Sequence, residues 1–359
     1  MLSLIIGKNA GIFTMQTLII NRPDDWHVHL RDNEMLQHTV ADSAKHFARA
    51  LIMPNLKPAL TTLSSLGEYR NRILTALPKG STFEPYMTFY LNDSVCAEEL
   101  HQAAKTPYVL GAKLYPAGAT TNSEAGAKSL TALYPLFEVL QNNNLALQIH
   151  GEVTHSDIFE RESLFIDEYL KPIVRNFPKL RVVLEHISTQ AAVEYVTDAP
   201  ATVAATITPH HLLYNRNKLL AGGLRPHYYC LPILKHEKDQ KALQDAACSG
   251  NPKFFAGTDS APHIVSAKES ACGCAGIYSA PFALALYTQV FDEMNQLKQL
   301  NHFLSRFGAE FYQLPINQQH IELIKSPQTI PDYLPLGSNQ VVPIAAGETI
   351  QWSIHEPTR

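Results

Sequence analysis

Two histidines separated by one residue, His27 and His29, lie in the segment Trp26-His27-Val28-His29-Leu30-Arg31-Asp32. In a strand, alternate side chains point to the same side, so the two imidazoles can share one metal ion. A His-x-His pair alone is equally compatible with a polar strand end. The remaining polar residues of this kind change the reading. His150 ends the apolar run Leu145–His150, His186 ends Arg181–His186, and Asp259 follows Lys253–Thr258. Any one of them is more often a structural core residue. Together, all at the C-terminal ends of apolar runs, they read as a metal site.

Lys113 interrupts the apolar run Val109–Tyr115. A buried ammonium without a partner is costly, so the side chain must snorkel, pair with an acid, or lose its charge. Desolvation lowers a lysine pKa, and a neutral amine reacts with carbon dioxide to give a carbamate, an anionic two-oxygen group able to bridge two metals. Cys272-Gly273-Cys274 has the look of a metal motif, but further cysteines at useful spacing are missing and it is not counted as a site.

These residues need a frame that brings strand ends together. Eight short β-branched or apolar runs recur: Asp25–Leu30, Ala50–Pro54, Pro85–Leu91, Val109–Tyr115, Leu145–His150, Arg181–His186, Thr202–Thr208 and Lys253–Thr258. Helical spacing of apolar residues fills the intervals Met35–Arg49, Leu63–Leu77, Ser129–Asn142, Ile158–Asn176, Thr189–Thr197 and Glu237–Ser249. Eight alternating strands and helices predict a parallel (β/α)8 TIM barrel of α/β class. An open doubly wound sheet is the competitor, but Gly-x-Gly-x-x-Gly does not follow the first strand. Beyond the eighth run come further helix over Phe282–Arg306, a Pro-rich stretch, and a strand pair or edge strand within Gln340–Ile354. Residues 16–359 are expected to form one domain, with 1–15 an N-terminal extension or a start assigned too early.

The chain has 359 residues, 45% of them hydrophobic and 17% charged, which argues against disorder. A net charge of −4 argues against a basic nucleic-acid surface. No apolar run is long enough to span a bilayer. Five cysteines, an odd number in a chain too long to need disulfide staples, suggest a reducing, cytoplasmic setting.

The words His27-Val28-His29, Lys113-Leu114-Tyr115, His150-Gly151-Glu152, Glu185-His186 and Gly257-Thr258-Asp259-Ser260 resemble the amidohydrolase superfamily. Flanking segments 22–32, Met53-Pro54-Asn55, 205–212, 225–235 and 268–276 resemble, within it, the dihydroorotases of single-function bacterial type, from about Ile20 to Ile354. The resemblance implies two zinc ions, with cobalt or manganese as substitutes. His27, His29 and Asp259 would hold one and His150 and His186 the other, with carbamylated Lys113 and a hydroxide bridging them. It implies reversible, zinc-dependent cyclisation of N-carbamoyl-L-aspartate to L-dihydroorotate, the third step of pyrimidine synthesis, with Asp259 as the catalytic acid and base. Arg31, Asn55 and His263 would hold the substrate carboxylate, main-chain groups of Leu231 and Ala275 the ring, and Thr120 and Thr121 would close a lid. Gly118 stands where that family often has Asn, which predicts a looser lid. A homodimer is the implied assembly. A hydantoinase or allantoinase chemistry and a non-catalytic barrel scaffold are the alternatives. The first has no use for the carboxylate clamp, and the second would be expected to have lost ligands.

Overall fold

A computed structural model describes residues 16–355. The proposed extension therefore lies outside the described residues, apart from its boundary. The first strand, β1 (Thr17–Asn21), belongs to a small antiparallel sheet with β10 (His320–Ile324) and the short strand Ser353–Ile354. The barrel consists of β2 (Asp24–Val28), β3 (Arg49–Ile52), β4 (Glu84–Leu91), β5 (Val109–Leu114), β6 (Ala146–Ile149), β7 (Val182–Leu184), β8 (Val203–Ile207) and β9 (Phe254–Ala256). Neighbours follow chain order and all pair in parallel. Closure between β9 and β2 comes from a parallel bridge between Val28 and Ser260. There the His29 N–H donates to the Ser260 carbonyl at 3.0 Å and the Asp259 N–H to the His27 carbonyl at 2.8 Å. This is the (β/α)8 barrel that the alternating pattern predicts.

Alternation along the strands divides two apolar layers. Ala50, Ile52, Met87, Phe89, Leu147, Ile149, Val182 and Leu184 pack outward with the surrounding helices. Leu51, Tyr86, Leu110, Ala146, Val183, Ala204 and Phe255 pack in a separate inner cluster with Phe307, Ala309 and Tyr312, which plug one end. The pairing register slips between Asp25 and Val28, a bulge that lets both Trp26 and His27 enter the interior. Trp26 stacks on Tyr312 with ring centroids 4.7 Å apart, and Gly308 passes so close that a Cβ there would lie 2.0 Å from the indole nitrogen.

The predicted helices are present with shifted ends, and the physical reasons are local. Thr62 caps Leu63–Ala76 by accepting from the Ser65 N–H. The stretch Phe282–Arg306 is broken: Ala283–Glu293 ends before Asn295, whose φ of 55° turns the chain before the next helical segment begins at Leu297. The C-terminal segment is not one strand pair. Asn339–Val341 pairs with Leu334–Leu336, Thr349–Ile350 with Gln328–Thr329, and Ser353–Ile354 with β10. Among the described residues, no helix is long and apolar enough to cross a membrane.

Candidate active site

The C-terminal ends of the barrel strands bring four imidazoles into a row. Ring centroids are 5.3 Å apart for His29 and His27, 5.0 Å for His27 and His186, and 4.8 Å for His186 and His150. Asp259 faces the first pair, its Oδ1 lying 3.1 Å from His29 Nε2 and 3.4 Å from His27 Nε2. All five side chains are buried. Backbone geometry helps to aim them: His186 and Asp259 have φ of 43° and 45°, and Arg31 has 58°. Non-glycine residues rarely adopt this region, and such strain gathers at sites where orientation matters. At the end of β7 it lets Glu185 and His186, adjacent in sequence, both serve the same cluster.

Three of the four rings are oriented from behind. His27 Nδ1 lies 2.8 Å from Glu185 Oε2, an atom that also accepts from Thr206 Oγ1 at 2.6 Å. His150 Nε2 lies 2.9 Å from Glu152 Oε2, and His29 Nδ1 lies 2.8 Å from Asn55 Oδ1. Because carboxylate and amide oxygens only accept, these contacts place the proton of a neutral ring on the atom facing away from the cluster. Burial drives His27 and His29 toward that neutral form, lowering their pKa. The Nε2 lone pairs of His27 and His29 then converge on the Asp259 carboxylate, an arrangement of acceptors that a cation resolves. The donor atoms of His27, His29 and Asp259 all fall within 4.8 Å of one another, so this set fits a metal ion.

Lys113 lies one layer below. Among the described residues, its Nζ, His27 Nε2 and His186 Nδ1 are buried without a hydrogen-bond partner. Burial brings the Lys113 ammonium down to about 8, against the opposing pull of Glu185 and Asp259. For Asp259 itself burial acts upward, yet the closely placed His29 and His27 rings and the Lys113 ammonium outweigh it and hold the carboxyl below its ordinary value.

The cluster opens into a small cavity. It is lined by His27, His29, Arg31, Asn55, Thr120, Thr121, His150, His186, Leu231, Asp259 and Ala275, and also by Tyr115, Ala261 and Gly276. Of the residues singled out in the sequence, Lys113 and His263 do not line it. His263 stands behind Arg31, with Nε2 3.0 Å from Arg31 Nη2 and 3.0 Å from the Ala275 carbonyl. Burial and the adjacent Arg31 lower its pKa to about 2, so this imidazole is neutral. Arg31 Nε donates to the Pro262 carbonyl at 3.1 Å.

The loop after β5 covers the cavity. Thr121 Oγ1 donates to the Ala275 carbonyl at 3.1 Å, and Asn122 Nδ2 to the Asn55 carbonyl at 3.2 Å. Asn55 Nδ2 in turn donates to the Thr121 carbonyl at 3.2 Å, so the Asn55 amide joins His29 to the lid. Gly118 has φ 75° with open space around its Cα.

Comparison with known proteins accords with this geometry. The amidohydrolase family model matches residues 17–332. A dihydroorotase of Nitrosococcus oceani is 54% identical over 342 residues, covering 95% of this chain and 99% of the relative. A dihydroorotase of Coxiella burnetii is 54% identical over 342 residues, covering 95% and 98%. The chain belongs to the dihydroorotase family. It is thus a hydrolase of cyclic amide bonds. The crystal structure of a Campylobacter jejuni dihydroorotase superposes with a TM-score of 0.88 at 36% identity, covering 96% of this chain and 99% of that one. A Saccharomyces cerevisiae dihydroorotase in complex with 5-fluoroorotic acid superposes with a TM-score of 0.88 at 36% identity, covering 96% and 100%. An Arthrobacter aurescens L-hydantoinase, 14% identical with a TM-score of 0.75, shares the barrel fold.

The dihydroorotase fold also positions residues to which sequence reasoning gave no role. Glu185 and Glu152 stood in the recognised words, directly before one histidine and two residues after another, but their orienting contacts emerge only in three dimensions. Asp25 accepts from the Thr258 N–H at 2.8 Å and the Thr258 hydroxyl at 2.6 Å, fixing the turn into Asp259. A second grouping, His210, His211 and Cys230, also brings donor atoms within 4.8 Å. There His211 is engaged on both ring nitrogens, by Thr208 Oγ1 and the Pro232 carbonyl, and burial lifts the Cys230 thiol to about 12. That chemistry suits a packed polar cluster better than a metal. Cys272 and Cys274 are free thiols, and neither belongs to a ligand grouping among the described residues.

Proposed function

We propose that this protein catalyses the reversible cyclisation of N-carbamoyl-L-aspartate to L-dihydroorotate, the third step of pyrimidine synthesis, with two zinc ions. The observation that carries the reading is a partly buried guanidinium, Arg31, in the same covered cavity as the histidine row and Asp259. A cyclic amide bearing a carboxylate needs both an anion clamp and a site for acyl chemistry. The names of the relatives and the 5-fluoroorotic acid complex of the yeast dihydroorotase support the same substrate class.

His27, His29 and Asp259 would hold one ion, and His150 and His186 the other, with Lys113 as its carbamate bridging them. Cobalt or manganese would suit the same nitrogen and oxygen donors. When bound, the ions supply Lewis acidity, which lowers the pKa of water and stabilises charge developing on the ring carbonyl. In the hydrolytic direction Asp259 takes a proton from the attacking water and returns it to the departing ring nitrogen. In the synthetic direction it does the reverse.

Arg31 presents a planar fork to the substrate carboxylate, the Asn55 amide adds a hydrogen bond without further charge, and neutral His263 completes the clamp from behind Arg31. Main-chain groups of Leu231 and Ala275 hold the ring, and Thr120 and Thr121 exclude water when the loop is down. Residues 16–359 act as one catalytic domain, in a cytoplasmic homodimer.

The test is direct. Purified, zinc-loaded protein should interconvert carbamoyl aspartate and dihydroorotate, and Arg31→Ala should lose about 100-fold in kcat/KM by removing a partly buried, charged hydrogen-bond donor. Rapid turnover of hydantoin with none of dihydroorotate would overturn the assignment.

A further inference from the structure

The motif Lys268-Glu269-Ser270-Ala271-Cys272-Gly273-Cys274-Ala275-Gly276 has no part in the histidine cluster, and its thiols are free. Its first residue is the informative one. Lys268 ends the short helix Val265–Lys268 and is only 3% exposed. Its Nζ donates to three main-chain carbonyls, of Tyr229 at 2.8 Å, Cys274 at 2.9 Å and Gly276 at 2.7 Å. An ammonium has three N–H donors, and here each has one acceptor. Among the described residues no carboxylate pairs with it, so a buried charge is held by peptide dipoles, with the Tyr229 ring centroid 5.8 Å away, an expensive arrangement to keep for packing.

The three carbonyls belong to two different loops. Tyr229 lies two residues before Leu231, and Cys274 and Gly276 flank Ala275. The Gly276 N–H also donates to the Tyr229 carbonyl at 3.0 Å, so ammonium and peptide tie the same pair of strands of chain. The glycines make the approach feasible: a Cβ at Gly273 would lie 2.5 Å from the Lys268 carbonyl, and one at Gly276, where φ is 148°, 2.5 Å from the Ala261 carbonyl. With its neighbours fixed, Ala275 turns its carbonyl to Thr121 of the lid and to His263 behind Arg31.

We propose that Lys268 is a positioning residue for substrate recognition, its ammonium fastening the Tyr229–Leu231 and Cys274–Gly276 main chains together so that Leu231 and Ala275 meet the ring in fixed register. This rests on the reading above that those two residues touch the substrate. Burial brings the Lys268 pKa to about 8, in keeping with a desolvated ammonium.

The experiment is steady-state hydrolysis of dihydroorotate by Lys268→Met and Lys268→Arg, with metal content and hydrogen–deuterium exchange of residues 273–276 measured on the same preparations. Lys268→Met should raise KM about tenfold, the scale expected for loosened substrate positioning, while kcat and bound metal change far less. Lys268→Arg keeps the charge but cannot aim a planar fork at three converging carbonyls. It should give an intermediate KM, with exchange faster than wild type in both variants. A wild-type KM in either variant, or a fall in kcat at unchanged KM, overturns the proposal. If Lys268→Met does not fold, the Arg variant decides alone. If wild-type protein does not turn over dihydroorotate, the substrate reading fails instead, and wild-type exchange rates in the variants would separately refute the tie between the loops.

Discussion

His27 Nδ1 and Glu185 Oε2 meet at 2.8 Å across the barrel, and both side chains are buried. Glu185 directly precedes His186, so one strand end supplies both an imidazole of the cluster and the carboxylate that turns another imidazole toward it. The Thr206 hydroxyl completes the link: it donates to Glu185 at 2.6 Å and accepts from the His186 N–H at 2.7 Å. Two histidines assigned to different ions thus share one support.

Glu185→Gln should therefore weaken metal retention although it removes no ligand. Amide and carboxylate have nearly the same shape, but the amide makes a weaker acceptor for the His27 N–H. Loss of such an orienting contact lowers metal affinity by about 10- to 100-fold. Competition with a chelator measures it, and retention equal to wild type would show that Glu185 does not tune the site.

Lys113 offers a test through pH. With its pKa near 8, roughly a tenth of the amine is neutral at pH 7, against well under a thousandth for an ordinary lysine. Neutral amine is the form that captures carbon dioxide, so at a fixed concentration of dissolved carbon dioxide, with zinc supplied, metal-free and carbamate-free protein should regain activity faster as pH rises, levelling off above about 8. Intact mass should show the added carbon dioxide, and Lys113→Ala should be inactive but partly rescued by short carboxylic acids. An active, metal-loaded enzyme with unmodified Lys113 would contradict the bridging role.

Asp259→Asn separates proton transfer from shape. The amide fills the same space beside His27 and His29 but cannot carry a proton, and general acid–base catalysis contributes about 10²- to 10⁴-fold. A loss in kcat of that order is expected in protein whose metal content, measured alongside because Asp259 is also a proposed ligand, matches wild type, with an unchanged thermal melt. A variant that keeps most of its turnover would show that another group moves the proton.

The barrel was legible because eight apolar runs each end in turn chemistry, and the histidines because they recur at the same end of those runs. What the sequence hid has a common physical origin. The bulge between Asp25 and Val28 and the left-handed φ of His186 and Asp259 change where side chains point, and no period of 2 or 3.6 encodes such single-residue departures. Glu185–His27 and the Lys268 bond to the Tyr229 carbonyl join residues distant along the chain. Their partners become visible only when the strands close, and the split C-terminal pairing is likewise set by tertiary packing.

Gly118 provides a test of the lid. Its φ of 75° lies in the left-handed region, and nothing stands within 4 Å of where a Cβ would go, so backbone conformation alone decides which residues fit. Asn tolerates that region, whereas a β-branched residue does not. Gly118→Asn should close over substrate as the wild type does, with a similar KM and a lid less costly to order. Gly118→Val should be strained by about 1–2 kcal/mol in the closed loop. If that strain falls on closure, KM rises by about 5- to 30-fold, while the barrel, which does not depend on the loop, keeps its melting temperature. Steady-state kinetics of the two variants side by side make the comparison, and a wild-type KM for Gly118→Val would mean that residues 116–123 do not close by the turn at Gly118.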